Sequence, residues 1–360
     1  MEHPEERYYK LNRFVLLLTG LWPYQSKWST RVVRAVITTI LLSSIIFQLL
    51  SLFMSNITAN FIIDMIPAFV PVMGSLSQMY ARVGHAGKLR DLFEHMWNDW
   101  RLRKTNYEIK IMQKHAETSR LLTLYYLPPQ KINNFDLLEG QVQHQDRSEV
   151  WDELYKVIQY VAVIGYNTWL VLPDVLDIIS PINESRPRIL PFKAEFFIDQ
   201  GRYFNLIRSH TCIVIFILSL IFLAVSTLYV TLTQHAYGMF ELLGYRAERL
   251  FYIVEDTVGY DSIRPKINYG NVVVFVRLHC NIIQFVAMIE FYHTIPFLMD
   301  IIGLVLTMSL ALTQILTTGG DIDRAFRSIS LSIIAVVYLF ISNYMAQKVT
   351  DMSLNVCEKV

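Results

Sequence analysis

Two stretches of this chain carry no charged side chain over the length needed to cross a bilayer: AVITTILLSSIIFQLLSLFM from Ala35 to Met54, and TCIVIFILSLIFLAVSTLYVTLT from Thr211 to Thr233. A hydrocarbon core about 30 Å thick takes about 20 helical residues at about 1.5 Å each, and a central Lys, Arg or Asp costs about 2.5–3.5 kcal/mol. Both stretches therefore read as transmembrane helices. Four more runs meet the same test with interruptions. Met65 to Ala81 is extended by Phe61 to Ile63 across Asp64 and bent by Pro67 and Pro71. Val157 to Pro173 lies between Lys156 and Asp174, Ile301 to Thr318 follows Pro296 and Asp300, and Ser328 to Ala346 completes the set. Backbone groups in lipid must be satisfied within the segment, so six such runs predict an all-α, polytopic membrane helical bundle. A composition of 53% hydrophobic against 18% charged residues agrees with that class rather than with a soluble globule.

Loop charge predicts the orientation. The amino-terminal segment 1–34 carries Arg7, Lys10, Arg13, Lys27, Arg31 and Arg34, and the loop after the second span is equally basic, from Arg82, Lys88 and Arg90 onward. Positive loops stay inside, which makes the amino terminus cytoplasmic. The loop 55–60 has no Lys or Arg. Loop 174–210 is basic, against the rule, but the two N-x-[ST] sequons supply an independent test. Asn56-Ile-Thr58 and Asn183-Glu-Ser185 both fall in loops expected outside, so Asn56 and Asn183 are expected to be glycosylated. Pro181, Pro187 and Pro191 stiffen the second of these loops, while Phe192, Phe196, Phe197 and Tyr203 give it an apolar face. It reads either as a lid over the bundle mouth or as a glycosylated spacer anchored at the lipid interface.

Other functions leave no trace. A formal charge of +1 and the lack of a basic, aromatic-laced patch set nucleic acid aside as a partner. Cys212, Cys280 and Cys357 are too far apart for a metal site or a disulfide framework. His115-Ala-Glu117 has the spacing of a zinc deaminase, but no Pro-Cys-x-x-Cys follows. No phosphate loop, nucleophile elbow or dinucleotide fingerprint is present, so no enzyme activity, cofactor or metal is expected. Asp64 and Asp300, near span ends, read as water-exposed or as ion sites of a transporter.

Four blocks carry a family resemblance. LNRFVLLLTGLWP from Leu11 to Pro23, the pattern PxNxSRPRxLPFxAExFxDQxxYF over Pro181 to Phe204, QHAYGMFELLGYRAERLF from Gln234 to Phe251 and QKVTDMSLNVCEK from Gln347 to Lys359 together resemble insect odorant receptors, in the expected order along the chain. The resemblance implies a tuning subunit of an odorant-gated, non-selective cation channel. It implies partnership with a co-receptor subunit in a hetero-tetramer, volatile small-molecule ligands bound in the outer half of the bundle, and the plasma membrane of olfactory sensory neurons. It also implies seven helices, the seventh lining the pore and a cytoplasmic anchor domain joining the subunits. Only six spans precede Val360, which predicts a chain that inserts in the bilayer but contributes no pore helix; residues 127–150 read as an insertion or a wrongly joined segment.

The expected pocket residues follow from spacing laid over that resemblance. On the third span Ala162, Gly165, Tyr166 and Trp169 fall at i, i+3, i+4 and i+7. That stripe either walls a ligand niche with rings or permits close helix packing. The Gly165 to Trp169 spacing resembles the pocket face of the family's third helix. Met73 on the second span, Phe216 on the fourth, and Ser332 and Tyr338 on the sixth complete the expected ligand-binding set. Residues 35–233 are thus expected to hold the first four spans, 234–289 the cytoplasmic anchor-type helices, 290–346 the fifth and sixth spans, and 347–360 a cytoplasmic tail. Phe240, Leu243, Ala247 and Leu250 recur near helical spacing and read either as a subunit contact or as packing within the chain. A G-protein-coupled receptor would place the amino terminus outside, and a secondary transporter would show two repeated halves with paired broken helices; both remain alternatives of other classes.

Overall fold

The computed structural model describes residues 6–54, 57–102, 104–125, 202–249, 269–317 and 322–359, and over them the chain is helical with no strand. Helix α1 spans Glu6–Leu18, α2 Lys27–Met54, α3 Ala59–Gly84, α4 Ala86–Arg101 and α5 Asn106–Tyr125. Then come α6, Phe204–Glu248, α7, Tyr269–Thr317, and α8, Ile322–Lys359. Five of the described helices are long and apolar enough to cross a membrane: α2, α3 from Phe61, α6, α7, and α8 from Ser328. The expected third span, with Ala162, Gly165, Tyr166 and Trp169, lies outside the described residues, as do Asn56, Asn183 and most of the 174–210 loop.

Helix boundaries follow local chemistry. Gly20 has φ 67°, a conformation that costs an L side chain energy, and it ends α1. Leu21 N–H returns 2.9 Å to Leu16 O, and the Arg34 Nε–H donates to the Gly20 carbonyl at 2.8 Å, tying this turn to the start of α2. Thr58 caps α3, its hydroxyl accepting from Phe61 N–H at 3.2 Å. His85 separates α3 from α4. Within α7, Pro296 has no N–H to give the Tyr292 carbonyl, yet the helix runs 49 residues through it.

At about 1.5 Å per residue, the 45 residues of α6 are about 68 Å long, over twice a hydrocarbon core. Its two halves are buried differently. From Ile207 through Thr211, Val214 and Ile217 to Ile221 only one stripe is covered, whereas from Ala224 to Leu243 nearly every residue is buried. That second half is the axis around which α5, α7 and α8 pack. There Phe240, Leu243 and Ala247 meet Ile111 and Met112 of α5, Phe275 and Leu278 of α7, and Val356 of α8. The apolar face of Gln234 to Phe251 is thus filled from within the chain as far as Ala247. The segment expected as a tail after Ala346 continues α8 to Lys359, where Lys359 Nζ pairs with Glu248 Oε1 at 2.7 Å.

Candidate functional site

Three polar layers cross the apolar bundle between α3, α7 and α8. In the layer nearest Thr58, Gln314 Nε2 donates to the Ile63 carbonyl at 2.8 Å and to Asp64 Oδ1 at 3.3 Å, while Ser328 Oγ donates to Gln314 Oε1 at 2.6 Å. Next along α7, the Tyr338 hydroxyl donates to Asp300 Oδ2 at 2.7 Å. Gln78 also hydrogen-bonds Asp300 and gives a second Nε2–H to the Pro296 carbonyl at 2.9 Å. In the third layer Arg82, 2% exposed, donates to the Gln78 side chain and to the Gln78 carbonyl at 3.2 Å. Its guanidinium lies 6.0 Å from the Tyr292 ring centre. His293 beside it stacks edge-on with Tyr229, with centroids 5.1 Å apart.

Arg82, Gln78, Asp300 and Tyr338 therefore form one relay across three helices, setting a buried cation against a carboxylate through an amide. Removing a charge from water is expensive, and a relay of this kind offsets the cost only while every member is present. Asp300 is half-buried in mid-helix, with α7 continuing to Thr317, rather than at a water-exposed span end. The reading of Asp300 as interfacial is corrected accordingly. It failed because the fifth span was cut at Ile301, whereas α7 is apolar on both sides of Asp300.

Small residues set the approach of these helices. A Cβ at Gly303 would meet Val70 Cγ1 at 3.3 Å, so α3 and α7 are close beside the Asp300 layer. Thr307, one turn further, satisfies its hydroxyl on the Gly303 carbonyl at 2.8 Å.

Of the expected ligand-binding residues, Tyr338 is the one at the centre of this network, 7% exposed, with Phe222 of α6 at a ring-centre distance of 4.9 Å. Ser332 is half-buried and spends its hydroxyl on the Ser328 carbonyl one turn back, at 2.8 Å. Met73 and Phe216 are 45% and 66% exposed, on α3 and α6 respectively, and the structure does not bring them to Tyr338. His210 meets Ser43 Oγ at 2.9 Å and the Phe47 ring edge-on, joining α6 to α2. Gln78, Arg82, Tyr292 and His293 were not singled out from sequence. Their signal was present in Gln78 and Arg82 at i and i+4, and in Tyr292 and Asp300 at i and i+8, polar groups on one face of an apolar run.

A second cluster lies where the helices extend past the spans. Asp99, 2% exposed, accepts from Asn281 Nδ2 at 2.9 Å and sits 3.0 Å from His235 Nε2, so α4, α6 and α7 meet on one carboxylate. Arg246 Nε donates to Glu108 Oε1 at 2.6 Å, and Glu108 Oε2 accepts from Thr105 N–H at 2.7 Å. Burial alone would raise the Glu108 carboxyl; these bonds and the Arg246 charge outweigh it and hold it below the ordinary carboxylate range. His115 Nε2 lies 2.5 Å from Glu241 Oε2, a further tie of α5 to α6. No group of three or more metal-ligating side chains occurs among the described residues.

A bundle of long apolar helices with buried polar layers defines a multi-pass membrane protein. The family model for the 7tm Odorant receptor matches residues 130–360, and the chain belongs to that family. It is a family of ligand-sensing receptors, not of enzymes. The fold is similar to that of the insect olfactory receptor OR5 from Machilis hrabei in complex with eugenol, with a TM-score of 0.72 at 11% identity, covering 98% of this chain and 82% of that one. The structure of the same receptor without a named ligand gives a TM-score of 0.67 at 12% identity, with the same coverage. No curated protein sequence matches.

Proposed function

We propose that this chain is a tuning subunit of an odorant-gated, non-selective cation channel. In this reading it is assembled with a co-receptor subunit in a hetero-tetramer at the plasma membrane of olfactory sensory neurons. The observation that carries the reading is the odorant receptor family match over residues 130–360. The fold likeness to a receptor solved with eugenol supports a small, mostly apolar ligand for this chain as well. Its pocket would lie between α3, α6, α8 and the span containing Ala162, Gly165, Tyr166 and Trp169, with Met73, Phe216, Ser332 and Tyr338 on the described helices. Subunit contact is supported by the first half of α7, where Tyr269 is 83% exposed and Val274 and Ile283 about half exposed, beyond the range the bilayer covers. The amino terminus is cytoplasmic in this reading, and Asn56 and Asn183 carry glycans. An N-glycosidase mobility shift that survives mutation of both asparagines would refute that orientation.

The test of the function is co-expression with an odorant co-receptor and recording of odorant-evoked current across a broad panel of volatiles. Current that requires this chain, expressed joined to a family seventh helix, with potency shifted by Trp169→Ala, is the expected result. Dose-response curves unchanged by Trp169→Ala would remove that residue from the pocket, and responses identical to co-receptor alone would remove the tuning role.

A further inference from the structure

The segments that lead into α2 and out of α3 enclose a cavity of about 280 Å³ lined by Tyr9, Arg13, Trp22, Tyr24, Phe93 and Trp97. The rings are mutually packed: Trp22 meets Phe93 edge-on at 5.1 Å, and Tyr24 lies 5.1 Å from Trp97. Two exposed arginines stand over the walls, Arg13 at 5.6 Å from the Trp22 ring and Arg90 at 5.2 Å from the Tyr24 ring. Arg90 Nη2 also donates to the Pro23 carbonyl at 3.3 Å, which leaves other N–H groups of its fork for a ligand.

The cavity's place along the chain fixes its depth. Trp22 and Tyr24 immediately precede α2, whose charge-free run starts at Ala35, and Phe93 and Trp97 follow the end of α3 at Gly84. Two spans therefore leave the bilayer here, and Lys27 and Arg31 in the first turns of α2 and Lys88 in the first turn of α4 are exposed. The neighbouring apolar side chains are exposed too: Trp28 77%, Phe14 54% and Leu18 42%. Aromatic rings with cations at headgroup depth, beside uncovered apolar residues, match an amphiphile with a charged head and an acyl tail.

We propose that this cavity binds the phosphomonoester headgroup of an anionic phospholipid, with the phosphate taken by Arg13 and Arg90 and the polar ring of the head lying against Trp22, Tyr24 and Trp97. A guanidinium presents paired N–H groups that suit a phosphate's oxygens, and stacking on Trp22 and Tyr24 holds both forks in place before the ligand arrives. Burial and the nearby Glu94 push the Tyr24 hydroxyl up to about 12, so it is a neutral donor at the rim. Glu94 and Asp91, close to Tyr24, oppose an anion and set the affinity below what the arginines alone would give.

The test uses the purified 360-residue chain in detergent, titrated with dioctanoyl phosphatidylinositol 4-phosphate and read by native mass spectrometry. Saturable binding of one lipid is expected. The double variant Arg13→Gln, Arg90→Gln should lose roughly tenfold or more in affinity, with Arg31→Gln on the neighbouring face of α2 nearly unchanged. Glu94→Gln should tighten binding. This arm keeps the proposal testable if the double variant folds poorly, because a gain of affinity cannot arise from misfolding. Equal losses in Arg31→Gln and the double variant would mean a diffuse basic collar and overturn the site. So would unchanged affinity in Glu94→Gln. Soluble inositol bisphosphate binding as tightly as the lipid would overturn the lipid as occupant in favour of a free phosphate.

Discussion

The Tyr338 hydroxyl lies 2.7 Å from Asp300 Oδ2, joining α8 to α7 through a carboxylate that α3 also reaches through Gln78. Because Asp300 is shared, loss of the Tyr338 hydroxyl strips one donor from a half-buried acid. Tyr338→Phe is expected to cost about 1–3 kcal/mol, seen as a lower unfolding temperature of the purified chain. Asp300→Asn, which keeps an acceptor for Tyr338, should cost less than Asp300→Ala. If Tyr338→Phe unfolds at the wild-type temperature, the relay is not what fixes α8 against α7.

Two glycines separate close packing from open space. A Cβ at Gly238 would stand 3.0 Å from His115 Cδ2 and 3.2 Å from His115 Cβ, whereas nothing lies within 4 Å of one at Gly74. Gly238→Ala should therefore push the His115 ring off Glu241 and loosen α5 from α6, at about 1–3 kcal/mol. Gly74→Ala should be neutral or slightly stabilising, because it removes backbone freedom from the unfolded chain. Thermal unfolding of both variants, made side by side, checks the contrast; equal shifts would contradict it.

Most of the architecture was legible because a bilayer leaves few options. The runs Ala35 to Met54 and Thr211 to Thr233 mark α2 and the first part of α6 by the absence of charge alone, and the gain in α6 was only in how far it continues. The polar interior was less legible. Ending the second span at Ala81 and starting the fifth at Ile301 turned Arg82 and Asp300 into loop residues, although each is compensated inside the bundle by the other's side of the relay. A charge tolerated through a partner on another helix cannot be told from an exposed one by counting along the chain. Met73 and Phe216 were placed by position along their spans, beside the prolines and in the outer half, and position along a span does not say which way a side chain faces; both are exposed in this chain. The relation of Asp99 to His235 and Asn281 had no sequence signal at all, as the three come from separate helices.

Glu108 makes the junction of α5 and α6 sensitive to acid. Its folded carboxyl is held below the ordinary range by bonds from Arg246 and Thr105, against the upward pull of burial. A depressed carboxyl stabilises the fold above its unfolded pKa, and that contribution fades as pH falls through the folded value. The stabilisation is therefore complete at neutral pH and lost only under acid conditions below the ordinary carboxylate range. Glu108→Gln should lower stability at neutral pH and flatten its decline in acid. Denaturation followed across that window checks this, and parallel curves for the two proteins would show that Glu108 does not couple protons to folding.

The carboxylate of Asp99 is where three helices depend on one side chain. Asn281 donates to Oδ1 at 2.9 Å and His235 approaches Oδ2 at 3.0 Å, while Asp99 itself is 2% exposed and His235 4%. Truncation to Ala leaves buried His235 and half-buried Asn281 without their acceptor, in a region beyond the spans where neighbouring core residues such as Phe285 are held by the hydrophobic effect. Asp99→Ala is expected to cost about 3–5 kcal/mol, enough to reduce the yield of folded protein severalfold. Asp99→Asn keeps an oxygen for Asn281 and offers His235 an N–H in place of a carboxylate, so a change of imidazole tautomer restores both bonds. It should recover most of the lost stability. Size-exclusion profiles and thermal unfolding of the two variants measure the difference. If Ala and Asn are equally damaging, the charge rather than the hydrogen-bond pattern holds α4, α6 and α7 together; if both are harmless, the packing around Phe285 suffices without Asp99.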